Sequence, residues 1–538
     1  MKLIHILLIT AFGHQPTTAG SLPGSPGLQA RDKPALPARA PFGFGAAAIG
    51  GGAASQNNTY VVDNMMDLRH VLKIDEPRTV YVRGEIRGSQ INETFAGDSQ
   101  YYIDSSNVPG FNFTLYVMAL NATYTGAVKA AATADEMFEG RNATEYLALL
   151  SRQNGWRATA QNVQKSWESI DAQGNLTLIG MDSTAYLHGV SLIFNSRSNI
   201  IIRNLLLSPP RDCFPAPETY PSTWNARYDA ISFVSTTTAW LDGNTLEDGA
   251  AGAVAPDDIG LWGWQADRYD GLFDVEDGSD SITFSHNIVA NHHKSLLWGG
   301  GEKEGARDVG KMRFTVFGNR FVNSLSRNPL MRFGTFYVAN NVFENYANRP
   351  PLYDDADGSH KSSGGVDTTS ISEESRTGDE GEKMGDDDDD PYMPDFQYHL
   401  GIYNLSSVLV TGNYVLQSGP YASDSTRVFA FQNLATPSSP GYFCSPVDFP
   451  SSSSSSPSPS ARYNCLPNML NNTPLNLTAI LFDSFAYHLR TSSDSVLGGL
   501  VSDCARFGEA QDLPATFETV DDVYAYVAWN AGQGRGDL

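Results

Sequence analysis

Six charged side chains sit in four short strings through the middle of this sequence. Asp229 lies in Tyr228-Asp229-Ala230-Ile231. Asp270 and Asp274 share Tyr269-Asp270-Gly271-Leu272-Phe273-Asp274-Val275. Lys294 lies in Asn291-His292-His293-Lys294-Ser295, and Arg327 and Arg332 in Arg327-Asn328-Pro329-Leu330-Met331-Arg332-Phe333-Gly334. Three carboxylates held together repel one another unless they are protonated or share a cation. In an exported protein their hard oxygens point to Ca²⁺. Lys294, Arg327 and Arg332 would add positive charge beside that ion, and such a place suits a polyanion of carboxylates. Singly, each string has a plainer reading. An Asp after Tyr is usually a turn residue, Asp-x-x-x-Asp is common, and three cations can be a solvated edge.

An internal repeat offers a way to bring the strings together. An alternating apolar run, then Asn, then an apolar pair appears at Ile200-Ile-Ile-Arg-Asn204-Leu-Leu. It recurs with Asn244, Asn287, Asn319, Asn341 and Asn413 at the same place, at steps of 40, 43, 32, 22 and 72 residues. The shortest step is about one coil of a β-solenoid, and the longer ones are a coil plus inserted loops. Strands of successive coils would pair in parallel and in register, stacking like side chains inside. An Asn at each turn tolerates left-handed backbone and can bond the Asn of the next coil. The fixed Asn position favours a solenoid over an antiparallel sandwich. Coils stacked about 4.8 Å apart would bring the charged strings to one face.

The chain begins Met-Lys and then runs apolar from Leu3 to Phe12, a signal-peptide pattern with small residues at 17–20. The run is too short to span a bilayer, and no later segment has 18 uninterrupted apolar residues. A secreted, extracellular protein with no membrane partner is expected. Nine Asn-x-Ser/Thr sequons, at Asn57, Asn92, Asn112, Asn121, Asn142, Asn175, Asn404, Asn471 and Asn476, fit export. Asn175 lies in a strand-like run and is expected to be unused. Four cysteines, Cys213, Cys444, Cys465 and Cys504, suggest two disulfides, with Cys444–Cys465 favoured because they bracket one Ser/Pro-rich loop.

The net charge is −24, and residues 354–390 hold 14 acidic and 3 basic side chains, nearly half of the excess. Such a balance argues against nucleic acid as a partner. It would also repel an acidic polysaccharide, unless the cleft is locally positive. The expected organisation is a signal peptide over 1–19, a disordered Pro/Ala/Gly lead-in over 20–41, and one domain over 42–538. Within that domain fall the acidic insertion at 354–390 and a Ser/Pro-rich loop at 435–462. A helical excursion is expected over 133–167 and a short closing helix over 520–531.

Taken together, the four strings resemble the pectate lyase family, polysaccharide lyase family one, in order and content across residues 42–434. Arg327-x-Pro-x-x-Arg332-x-Gly is the most specific of them. Thr79-Val-Tyr-Val-Arg-Gly84 and Asn175-Leu-Thr-Leu-Ile-Gly180 resemble the family's first coils, and Asp521-Asp522-Val-Tyr-Ala-Tyr-Val-Ala-Trp its tail. The resemblance implies an all-β fold, a right-handed, single-stranded parallel β-helix with long insertions and a few short helices. It implies calcium-assisted β-elimination of polygalacturonate by a monomer of fungal type. Carried over, Asp229, Asp270 and Asp274 look like the calcium ligands and Arg327 like the catalytic base. Lys294 and Arg332 look like the residues that hold the substrate carboxylate. Crowding by Lys294, Arg332 and Ca²⁺ would lower the pKa of such a base and give an alkaline optimum.

Two positions depart from the family pattern. Gly243 stands where Trp-Ile-Asp-His is usual, and Arg227 where a second acid often sits, which leaves a second calcium site in doubt. His292 and His293 point to opposite faces if the segment is a strand, so they read as supporting residues. Three rivals remain. A pectin lyase would act on esterified substrate without calcium, and would lack Asp270 and Asp274. A hydrolytic polygalacturonase would need paired carboxylates. The third is a non-catalytic polysaccharide-binding β-helix.

Overall fold

Short runs with alternating apolar residues and Asn or Gly at their ends are too short to bury a core alone. In the computed structural model they stack. Residues 39–534 are described, apart from 249–256, 346–395, 445–465, 476–512 and several stretches of three residues or fewer. The expected leader, nearly all of the lead-in, the acidic insertion, Asn476, Cys465 and Cys504 lie outside the described residues.

Three long sheets run the length of the body, two of ten strands and one of eight. Successive coils visit them in turn, as in Asp280–Ser285, Ile288–Ala290 and Leu297–Trp298, followed by Arg313–Phe317, Arg320–Val322 and Leu330–Arg332. Pairing between coils is parallel and in register: Ile282 faces Phe314, Phe314 faces Phe336, and Phe336 faces Val408. The chain is therefore a parallel β-helix, as the repeat predicts. Like stacks on like inside it. Trp298 and Phe314 lie 4.4 Å apart and nearly parallel, and Phe314 lies 5.3 Å from Phe336. Each aromatic pair adds about 1 kcal/mol beyond its burial.

The predicted asparagines form a continuous buried ladder, with one correction. The Oδ1 of Asn287 accepts from the backbone N–H of Asn244 at 2.9 Å and from its Nδ2 at 3.0 Å. The same pair of bonds links Asn287 to Asn319, Asn319 to Asn341, Asn341 to Asn413, and Asn413 to Asn468. Asn468 extends the ladder by one coil beyond the repeat read in sequence. The left-handed backbone, however, belongs to the residue before each of the first five ladder asparagines: Gly243, His286, Gly318, Asn340 and Gly412, at φ 65°, 52°, 67°, 56° and 62°. Asn204 occupies that earlier position (φ 54°), because Arg203 pairs with Asp242, so Leu205 stands where the ladder Asn would be.

Asn319→Ala is expected to cost about 3 kcal/mol. It strands the Asn287 N–H and amide without their acceptor, and unmet buried donors cost about 1–3 kcal/mol each. A lower urea midpoint at unchanged slope would show it, and an unshifted midpoint would mean the ladder is decorative.

The excursions lie largely on one side. Connections from the second sheet to the third hold residues 88–168, 209–230, 247–272, 291–296 and 323–329. The first contains the helical excursion expected over 133–167, seen as the helix Ala143–Glu168, whose 26 residues exceed the short helices the resemblance implies. Its buried face begins apolar, with Ala143, Tyr146 and Leu150, and then turns largely polar, with Gln153, Arg157, Gln161, Gln164 and Glu168. These side chains satisfy irregular backbone. Gln161 and Arg157 donate to the Phe214 carbonyl, and Gln164 to that of Arg211.

The predicted C-terminal helix forms over Val520–Asn530. It lies on the flank of the second sheet, with Val523 and Val527 packed against Val342 and Tyr414. Residues 42–51 cross the outside of the first sheet. A Cβ on Gly45 or Gly51 would collide with the carbonyl of Ala239 or Arg78, so only glycine permits that approach. Cys213 is a free thiol, which leaves at most one disulfide among the other three cysteines rather than two.

Candidate functional site

The third sheet carries all six charged residues. Asp229 stands two residues before the strand Ile231–Val234, and Asp270 and Asp274 flank the start of Phe273–Glu276, the next strand in the sheet. Lys294 precedes Leu297–Trp298, while Arg327 precedes and Arg332 ends Leu330–Arg332. These are four consecutive strands of one sheet, in register, so the predicted strings do converge.

The half-buried carboxylates are tied to the coils around them. Asp229 accepts from the Ser232 hydroxyl at 2.6 Å and from the Gly271 N–H at 3.0 Å. Asp274 faces Ser232 in the register and accepts from the Leu297 N–H at 3.0 Å. Gly271 packs so closely on Asp274 that a Cβ there would overlap the carboxylate. Burial pushes Asp229 well above the usual carboxylate range, and the charges of Asp274 and Asp270 push it further. Asp274 is raised likewise, by burial and then by Asp270, while Arg327 and Lys294 pull it down. The Nζ of Lys294 lies 3.4 Å from Asp270 and donates to Asn225.

Among the described residues, no three His, Cys, Asp or Glu side chains already stand grouped as a metal cage. Asp270 leans toward Lys294 instead. What fits a hard divalent cation is the chemistry of the donors: carboxylate oxygens crowded enough to resist shared ionisation.

Arg327 has left-handed backbone, φ 59°, and the next peptide but one, Asn328–Pro329, is cis. Its carbonyl accepts from Leu296 at 2.9 Å, while the Asn328 N–H bonds the His399 carbonyl at 2.8 Å. Asn328 is fully buried and bonds Ser324 at 2.5 Å, so the loop that presents Arg327 is fixed on both sides. Arg332 donates from Nη1 to the Gly299 carbonyl at 2.7 Å and sits 5.8 Å from the Tyr403 ring centre. Its Nε is buried with no acceptor, and burial, then Arg327, lowers its pKa.

Sequence reasoning missed four neighbours. Asn225 braces Lys294, and Gly271 seats Asp274. Tyr403 stands opposite Arg332 in the register, and Tyr398 feels both Arg327 and Arg332. The repeat carried one coil further would have aligned Tyr403 with Arg332. The two histidines behave as expected. His292 is buried on Asp248, and His293 is partly exposed, 2.9 Å from Asp267. The histidine absent at 243 is supplied one coil later, where His286 lies 2.7 Å from Asp242. Beneath the site, the Tyr228 hydroxyl donates to the Gln161 carbonyl at 2.8 Å, and burial lifts Glu168 to about 7.

Residues 145–371 match the family model described as pectate lyase, and that stretch holds all six residues. Over those residues the chain is similar to the pectate lyase family. It is 28% identical over 303 residues to a pectate lyase of Bacillus subtilis (strain 168), covering 55% of this chain and 65% of the relative. It is 31% identical over 237 residues to pectate lyase D of Dickeya chrysanthemi, covering 41% and 59%. The chain thus spans less than two thirds of these curated relatives' own length. A solved pectate lyase bound to hexasaccharide superposes with TM-score 0.64 at 22% identity, covering 93% of this chain and 99% of that one. The pectate lyase of Acidovorax avenae subsp. citrulli gives 0.62 at 18%, covering 98% of each. At such identities the superpositions speak for the fold, the parallel β-helix described above.

Proposed function

We propose that this protein is a secreted pectate lyase, cleaving de-esterified polygalacturonate by calcium-assisted β-elimination into 4,5-unsaturated oligogalacturonates. The observation that carries this reading is the convergence of three carboxylates and three cations on four consecutive strands of one sheet. The match of residues 145–371 to the pectate lyase family model and the hexasaccharide carried by a solved structure of similar fold support it. Among the described residues, no helix is long and apolar enough to cross a membrane.

In this reading Asp229, Asp270 and Asp274 hold calcium. When bound, the ion supplies positive charge that relieves their repulsion and draws the acidic polymer to the cleft. Lys294 and Arg332 hold the C6 carboxylate of the sugar being cleaved. The unmet N–H of Arg332 is a donor for such an anion. Arg327 takes the C5 proton, the C4–O bond breaks, and the charge developing on the carboxylate is met by fixed cations. The site explains how a strongly acidic protein binds an acidic polymer: the cleft is the locally positive part.

The test follows ultraviolet absorbance of unsaturated products from unesterified polygalacturonate, with calcium and then with excess chelator. A rise that needs calcium is expected. A rise that ignores chelator and grows on methyl-esterified substrate would move the assignment to pectin lyase. No rise on either substrate would end the lyase reading.

A further inference from the structure

Two hairpins of the large insertion share a construction that the cleft does not use. In the first, Gln90–Asn92 pairs antiparallel with Phe95–Ala96, and Asn92 stands directly opposite Phe95. In the second, Met137–Phe138 pairs with Arg141–Asn142, and Asn142 stands directly opposite Met137. Both asparagines begin Asn-x-Thr sequons, Asn92-Glu-Thr94 and Asn142-Ala-Thr144. Both partners are left in solvent, Phe95 43% exposed and Met137 63%, two of only five large hydrophobic residues so exposed among the described residues. Directly opposed residues put their side chains on one face, about 5 Å apart at Cβ.

The asparagine side chains are oriented for this. Each spends its Oδ1 on the local backbone: Asn92 accepts from the Thr94 N–H at 3.0 Å, and Asn142 from the Glu145 N–H at 3.0 Å. Neither Nδ2 donates to any described residue. Asn92 and Phe95 also line an open cavity of about 250 Å³ whose wall includes Asp63, Glu85, Arg87 and Gln90, polar groups that can meet sugar hydroxyls.

Three other sequons are built differently. Asn471 uses its Nδ2 to hold the carbonyls of Gln417 and Ala422, at 2.8 and 2.6 Å. Asn404 is buried. Asn175 is held in left-handed backbone (φ 51°), with its Oδ1 bonded to Asn199 at 2.9 Å.

We infer that Asn92 and Asn142 carry N-linked glycans whose first N-acetylglucosamine lies on the exposed faces of Phe95 and Met137, and that Asn175, Asn404 and Asn471 carry none. The bond formed joins Nδ2 to C1 of the sugar. The lipid pyrophosphate of the oligosaccharide donor leaves, and one amide proton is lost. Covering the two apolar side chains with the apolar face of a pyranose removes surface that would otherwise stay in water. This inference rests on the export part of the proposed function and not on its lyase chemistry.

The test secretes the full chain from yeast and maps occupied sites by enzymatic deglycosylation in heavy-oxygen water and peptide mass spectrometry. Occupancy of Asn92 and Asn142, with none at Asn175, Asn404 or Asn471, is expected. An unmodified Asn92 or Asn142 in secreted protein, or a glycan on Asn404 or Asn471, would overturn it. The packing has its own readout. Trimming to a single N-acetylglucosamine should leave the melting temperature in place, while preventing attachment with an Asn92→Gln/Asn142→Gln pair should lower it by about 2 °C. With Phe95→Ser and Met137→Ser added, that loss should disappear. An equal loss in both backgrounds would show that the sugars touch neither side chain. Polysaccharide cleavage enters neither measurement, so the site assignment and the lyase reading can fail separately.

Discussion

Arg327→Ala is expected to lower kcat on polygalacturonate by about 10³-fold, within the usual range for loss of a positioned proton-transfer group, while calcium binding survives. The backbone argument says why the variant folds. The left-handed turn is held by bonds from Leu296 to the Arg327 carbonyl and from Asn328 to His399, and neither involves the guanidinium. The electrostatic argument says why calcium still binds. Arg327 lowers the pKa of Asp274, so its removal leaves more negative charge uncompensated at the carboxylates and does not add competing cation. Calorimetric calcium affinity should therefore stay level or tighten. Arg327→Lys separates charge from geometry. An ammonium keeps the charge but loses the planar fork, so it should keep only a small part of the rate. Should alanine at 327 turn over substrate like the parent, the base is elsewhere and the roles given to this site are wrong.

Much of the scaffold could be read from sequence because the solenoid is built by repetition. Six asparagines in step with apolar pairs demanded parallel stacking, and the same register brought Asp229, Asp270, Asp274, Lys294, Arg327 and Arg332 to one face. The finer structure of the ladder could not be read the same way. Asn204 and Asn244 look equivalent in a string, yet they differ by one residue in register, and only strand pairing distinguishes them. The helical excursion expected over 133–167 is present as Ala143–Glu168, but its start could not be read, because 137–142 folds into a hairpin. Its first turns bury the apolar Tyr146 and Leu150, while Arg157, Gln161 and Gln164 further along satisfy the backbone of 211–214. Asn225 and Tyr398 were invisible because their roles come from loops of unrelated length meeting over the sheet.

Asp229→Asn should change stability in opposite directions with and without calcium. In the folded protein, burial and the charges of Asp274 and Asp270 hold the Asp229 carboxyl well above its ordinary range. A group whose folded pKa is raised binds its proton more tightly folded than unfolded. Its contribution is therefore fully present below the unfolded value near 4, and is lost as pH rises through the folded value. At pH 8 in chelator the parent bears that cost and the variant does not. The amide still accepts from Gly271 N–H, so the variant should melt higher, with the gap shrinking toward pH 4. Calcium reverses the order. A ligand that binds only the folded state adds about 2.7 kcal/mol when present at 100 times its Kd. The parent gains that, while the variant, short of one anionic oxygen donor, binds weakly and gains little. Melting curves at pH 5 and pH 8, each in chelator and in excess calcium, give four comparisons. Equal calcium-induced shifts in parent and variant would remove Asp229 from the ion's coordination. A variant that melts lower in chelator at pH 8 would mean that Ser232 and Gly271 need the carboxylate more than its neighbours repel it.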